Sequence, residues 1–120
     1  MVERIGDLPE NVIAFEATGK VTAVDYETIL IPVVEQALTK HSKVRLLYHL
    51  GDAFSGFEVQ ALWDDAKLGL GHLTSWERIA VVTDVGWISA ATKAWGVVAP
   101  GVVRVFPNSE LRAAKEWVAE

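Results

Sequence analysis

The sequence predicts a single α/β domain spanning residues 1–120, in the order β-β-α-β-α-β-α-β-α, with a mixed, mostly parallel sheet flanked by helices. Three observations predict it. Short runs rich in β-branched residues alternate with stretches whose apolar positions recur every three or four residues. One run, residues 44–50, is almost continuously apolar, the pattern of a strand covered on both faces. With 120 residues, 51% of them hydrophobic and 22% charged, the chain can bury one core, and no repeat, linker or low-complexity segment divides it.

Residues 2–5 read as a short edge strand. Gly6-Asp7-Leu8-Pro9-Glu10-Asn11 is turn chemistry, and Val12-Ile13-Ala14-Phe15-Glu16-Ala17 returns as a second strand, with Gly19 closing the pair. Thr22 and Asp25 stand at capping-box spacing, so a helix begins there. Its apolar face is Tyr26, Ile29/Leu30, Val33/Val34 and Ala37/Leu38, ending near His41. Pro32 lies within it and predicts a lost backbone bond to Thr28 and a kink.

After the central run, Gly51-Asp52-Ala53-Phe54-Ser55-Gly56-Phe57 reads as a sharp joint. Ser55 and Glu58 then form a capping box, worth about 1 kcal/mol, at the start of a helix. Val59, Leu62/Trp63, Ala66, Leu70 and Leu73 face inward in this reading, with Asp64, Asp65 and Lys67 outside and Gly69 and Gly71 weakening the last turns. Residues 78–83 are the next strand. Asp84 caps a helix whose inner stripe is Ile88, Ala91 and Trp95, with Gly96 at its end and Pro100-Gly101 as a turn. Residues 102–106 are the last strand, and Pro107-Asn108-Ser109 caps a final helix with Leu111, Ala114 and Trp117/Val118 inward.

Composition excludes several functions. The net charge is −5 with no cationic run, which argues against nucleic acid and against electrostatic docking on an anionic membrane. Without cysteine there is no disulfide, thiolate chemistry or sulfur-ligated metal. No signal peptide is recognisable at residues 1–7 and no apolar run approaches a membrane span, so the expected location is the cytoplasm.

Where a strand ends in small residues and feeds a helix, open α/β sheets place their functional edge. Ser55, His49 and Asp84 at that edge compose a Ser-His-Asp set on paper, but no Gly-x-Ser-x-Gly elbow accompanies them. They read better as structural, so no catalytic residue is expected. His41, His49 and His72 lack ligand spacing, and Asp64-Asp65 reads as a solvated helix face, so no metal is expected. Gly69-Leu70-Gly71-His72 ends a predicted helix instead of opening one, so it is no phosphate loop, and no cofactor is expected. Of the five tryptophans, Trp63, Trp95 and Trp117 fall on or near inner stripes. Trp76, in the link before a strand, and Trp87 do not: exposed, they suit a partner surface or a ligand mouth, and partial burial under neighbouring loops is the equal alternative.

The stretches Val12-Ile13-Ala14-Phe15-Glu16-Ala17-Thr18-Gly19-Lys20-Val21-Thr22, Val44-Arg45-Leu46-Leu47-Tyr48 and Glu77-Arg78-Ile79-Ala80-Val81-Val82-Thr83-Asp84, with Asp25-Tyr26-Glu27-Thr28 and Val103-Arg104-Val105-Phe106, resemble SpoIIAA-like proteins. These are STAS-type domains, named for the sporulation anti-sigma-factor antagonist. The resemblance implies a non-enzymatic regulatory or protein-interaction module, in which a partner kinase phosphorylates a serine or threonine after the central strand. The usual form is Asp-Ser/Thr-Ser-Gly followed by an aliphatic residue. In Asp52-Ala53-Phe54-Ser55-Gly56-Phe57 the Ser-Gly and a following apolar residue match, while the Asp stands one residue further back and Phe54 replaces a hydroxyl residue.

By that resemblance Ser55 is the phospho-switch, and Asp52, Phe54, Phe57 and Glu58 form the surface for an unidentified protein partner. Two rival readings stand beside it. One is a small apolar-ligand or lipid carrier resembling the CRAL-TRIO lipid-exchange fold, its pocket formed by Leu62, Trp63, Ile88 and Trp95 between sheet and helices. The other is a homodimer in which a second copy covers Trp76 or Trp87.

Overall fold

Alternation along the three central strands divides the interior between two faces of one sheet. Ile13, Phe15, Tyr48, Leu50, Ile79 and Val81 point to one side, and Ala14, Leu47, Ala80 and Val82 to the other. The computed structural model describes residues 1–6, 8–71, 73–99 and 101–120, and for residues 69, 70 and 73 the backbone alone. The sheet order is β1 (Val2–Ile5), β2 (Val12–Val21), β3 (Val44–Phe57), β4 (Trp76–Thr83) and β5 (Val102–Phe106). Only β1 and β2 are antiparallel; the other neighbours run parallel.

Because the strands follow one another across the sheet, right-handed crossovers place every connecting helix on the same face. These are α1 (Ala23–Asp25) with a π-helical turn (Tyr26–Leu30) and α2 (Ile31–Lys40), then α3 (Val59–Gly71) and α4 (Gly86–Val98). The final helix α5 (Leu111–Ala119) covers the opposite face with Ala114 and Val118. Arg45 and Arg78 donate to the Val118 and Trp117 carbonyls at its C-terminal end, where cations are favoured. The strand order never reverses, so there is no crevice at a topological switch point. Ligand space on this fold lies between the layers instead.

The predicted elements all form, with local corrections. The Thr22–Asp25 capping box is present, the Thr22 amide donating to the Asp25 carboxylate at 2.9 Å. Pro32 does not break a continuous helix. The π-turn, in which the Ile31 amide reaches the Tyr26 carbonyl, precedes it, so proline falls in the first turn of α2, where its missing N–H has no partner to lose.

The expected joint at residues 51–57 is instead the end of β3. Gly19, Lys20 and Val21 of β2 pair with Phe54, Gly56 and Phe57 across register shifts, and Gly56 takes φ +151°. This overturns the Ser55 capping box, because the Glu58 amide donates to the Val21 carbonyl at 2.7 Å. The Glu58 carboxylate caps another helix, accepting from the Ala23 amide at 3.2 Å. Asp84 likewise does not cap α4: it accepts from the Asn108 amide at 2.9 Å, and Val85 is the N-cap. The Leu70, Leu73, His72 and Pro100 readings lie outside the described side chains or residues.

Candidate functional site: an apolar cavity with a carboxylate in its wall

Helix α3 is rotated from its expected orientation. Ala61, Asp64 and Leu68 are buried, while Val59 is 81% and Trp63 62% exposed. The helix rests chiefly against α1 and the π-turn. Between α3, α4 and the sheet an open cavity of about 310 Å³ remains, at the small end of the roughly 300–1,000 Å³ typical of ligand sites. Its floor is Leu46, Tyr48 and Leu50 of β3 with Ile79 and Val81 of β4. Leu62 and Asp65 of α3 form one wall, and Ile88 and Trp95 of α4 the other.

Leu62, Ile88 and Trp95 therefore meet around one cavity, and Trp63 does not join them. Trp63 lies more than a quarter of a turn past Leu62 and is exposed to solvent, since successive helix positions are separated by about 100°. Trp87, 53% exposed, stands at the opening with its ring edge-on to Phe57 at 6.1 Å, and Phe57 in turn packs on Phe54 at 5.0 Å. Trp76 is no surface residue: as the first residue of β4 it is 3% exposed and lines the cavity. A dimer that covers Trp76 is thereby excluded, leaving Trp87 as the exposed one of those two tryptophans.

One end of the cavity is polar. The Tyr26 hydroxyl donates to Asp65 Oδ1 at 2.7 Å and lies 3.2 Å from the Tyr48 hydroxyl. Since the single Tyr26 hydrogen goes to the carboxylate, Tyr48 donates to Tyr26, and the relay ends on Asp65. Burial raises the pKa of both phenols well above the ordinary tyrosine range. Desolvation raises Asp65 as well, against the opposing Tyr26 hydrogen bond. Asp65 is exposed where it borders the cavity, so water reaches its carboxylate from that side while apolar side chains line the rest of the wall. The sequence reading of Asp64-Asp65 as a solvated helix face is corrected at Asp64, which is buried; Asp65 is exposed as expected, but it also accepts the Tyr26 hydroxyl hydrogen. An interior tyrosine needs a partner for its hydroxyl, and that was the available signal.

The other candidates are dispersed. Ser55 and Asp52 are exposed on β3, while Phe54, Phe57 and Glu58 are half-buried. His49 Nδ1 faces Glu16 at 3.1 Å, its register partner on β2, and Asp84 is held by Asn108. Among the described residues no three His, Cys, Asp or Glu side chains gather as a metal site.

The model of the SpoIIAA-like family matches residues 12–119 of this chain. The crystal structure of an uncharacterized protein from the DUF3478 family with a SpoIIAA-like fold, from Shewanella loihica PV-4, is similar to it with a TM-score of 0.78 and 29% identity. That match covers 98% of this chain and 93% of the other. None of the curated proteins matches the chain.

Proposed function

The chain belongs to the SpoIIAA-like family, and from that premise we propose that it is a non-enzymatic binding module whose ligand is a small apolar molecule held between the sheet and helices α3 and α4. The fold supports a regulatory or interaction module in general. The observation that carries the finer reading is the open cavity, floored by four aliphatic strand residues and Tyr48, with Trp87 at its opening. Burying apolar surface there would stabilise a complex by about 25 cal/mol per Å² removed from water.

A neutral environment-sensitive dye, N-phenylnaphthylamine, is expected to brighten on the protein with a Kd in the micromolar range. Ala91→Trp, on an exposed residue that also lines the cavity, fills the space without opening the core and should weaken uptake at least tenfold. Trp63→Ala should leave it unchanged. No brightening, or equal uptake by Ala91→Trp, overturns the reading.

A second reading keeps Ser55 as a phospho-switch for a protein partner that docks on Asp52, Phe54, Phe57 and Glu58. What favours it is that Ser55 is exposed on the same end of β3 as the Phe54–Phe57–Trp87 cluster. A phosphate there adds nearly two negative charges to the end of β3 that also carries exposed Asp52, so it would repel an acidic partner and attract a basic one. Peptide mass spectrometry of protein recovered from its native host should then find phosphate on Ser55. A peptide unmodified in growing and in stationary cells removes the switch.

A further inference from the structure

The composition of the cavity wall specifies the head group of its ligand, an inference that rests on the ligand reading above. Among the described lining residues Asp65 is the one formally charged side chain, and lysine, arginine and histidine are absent. The neighbouring hydroxyl hydrogens are already placed: Tyr26 on Asp65, Tyr48 on Tyr26, and Thr92 on the Ile88 carbonyl at 2.8 Å. Asp65 Oδ1 accepts one of these bonds, and the carboxylate keeps further acceptor capacity. An anionic head would meet a like charge in surroundings of low polarity. A cationic donor would meet an acceptor that has no counter-ion among the described residues.

We propose that the cavity selects an amphipathic molecule with a positively charged, hydrogen-bond-donating head, an alkylamine in its simplest form, whose ammonium seats on Asp65 and whose chain lies along β3 and β4. The raised pKa of Asp65 agrees with this, since a carboxylate without a cation gains most from one. The net charge of −5 favours the approach of the same class of molecule but does not by itself place it.

The test displaces N-phenylnaphthylamine from the full chain with decylamine, decanol and decanoate at pH 7 and fixed ionic strength. Decylamine should act at the lowest concentration, decanol next, and decanoate at least tenfold above decylamine. Asp65→Asn keeps the size of the side chain and an oxygen for the Tyr26 hydroxyl, and should shrink that gap to less than threefold. Decanoate as effective as decylamine, or a gap that survives Asp65→Asn, overturns the proposal. Should Asp65→Asn not fold, the order in the wild-type protein still decides. If the dye enters but all three compounds displace it alike, the head-group selection falls and the cavity reading stands. If the dye does not enter the wild-type protein, both fall.

Discussion

Gly101→Ala is expected to lower stability by about 3 kcal/mol, the upper part of the range for overpacking a rigid site. A Cβ at this position would stand 2.3 Å from the Trp76 carbonyl oxygen and 3.0 Å from that of Glu77. Both oxygens belong to the backbone of β4, which is held between β3 and β5, so neither can withdraw without disturbing the sheet. Glycine here serves close approach of two backbones. Urea titration should show a lower midpoint at unchanged slope, the mark of lost stability and not of an altered unfolded state. Gly86→Ala supplies the comparison. It opens α4 with nothing within 4 Å of the added carbon, so it should be neutral or stabilise by about 0.5 kcal/mol. Equal midpoints for Gly101→Ala and the wild type would show that the start of β5 can shift away from β4.

The contrast between those two glycines also describes what the sequence could disclose. The period-two strands, the Thr22–Asp25 cap and the inner face of α5 depend on neighbours within a few residues, and each is legible. The extension of β3 is not, because it depends on Gly19, Lys20 and Val21 lying alongside. Ser55 and Glu58 satisfy a local capping pattern, yet the Glu58 amide had a stronger claimant in Val21, far away in the chain. Local pattern lost to tertiary pairing there.

For the site, the same division holds. Leu62, Ile88 and Trp95 were legible because helical spacing puts them on faces turned toward the sheet. Trp63 was misjudged because its neighbour Leu62 already served that face, and one helix step carries a side chain well around the axis. Asp65 was missed altogether. Its place on the cavity answers to the hydrogen bond with Tyr26, which lies 39 residues earlier, and no window of local periodicity contains both.

That pair gives the other large effect. Tyr26→Phe is expected to cost about 2 kcal/mol at pH 7, since it removes the donor to Asp65 and the acceptor of Tyr48 while leaving the rest of a fully buried ring in place. Removing the carboxylate as well, in Tyr26→Phe with Asp65→Leu, should recover part of the loss, because Asp65 then no longer lacks its donor while the buried Tyr48 hydroxyl still lacks its acceptor. The coupling between the two substitutions should be about 1–2 kcal/mol.

The pH dependence separates a charged acceptor from mere packing. Desolvation raises Asp65 above its ordinary value of 3.8, so between that value and the folded pKa the folded chain holds a proton that the unfolded chain has released. Stability from this group therefore falls as pH rises through the folded pKa and is regained on acidification. Tyr26→Phe removes a bond that favours the ionised form and moves the folded pKa higher still. Its deficit relative to the wild type should be greatest near neutrality and shrink as pH falls through the raised pKa. In the Asp65→Leu background the effect of Tyr26→Phe should not vary with pH over this range. Glu77, whose carboxyl the Arg45 guanidinium holds below its usual value, contributes in the opposite sense but equally to every variant, so it cancels in the differences. Urea midpoints of the four proteins from pH 7 downward give the measurement. A Tyr26→Phe deficit that is the same at every pH would mean that Asp65 accepts that bond as a neutral acid, and a neutral wall offers an ammonium head no more than it offers an alcohol.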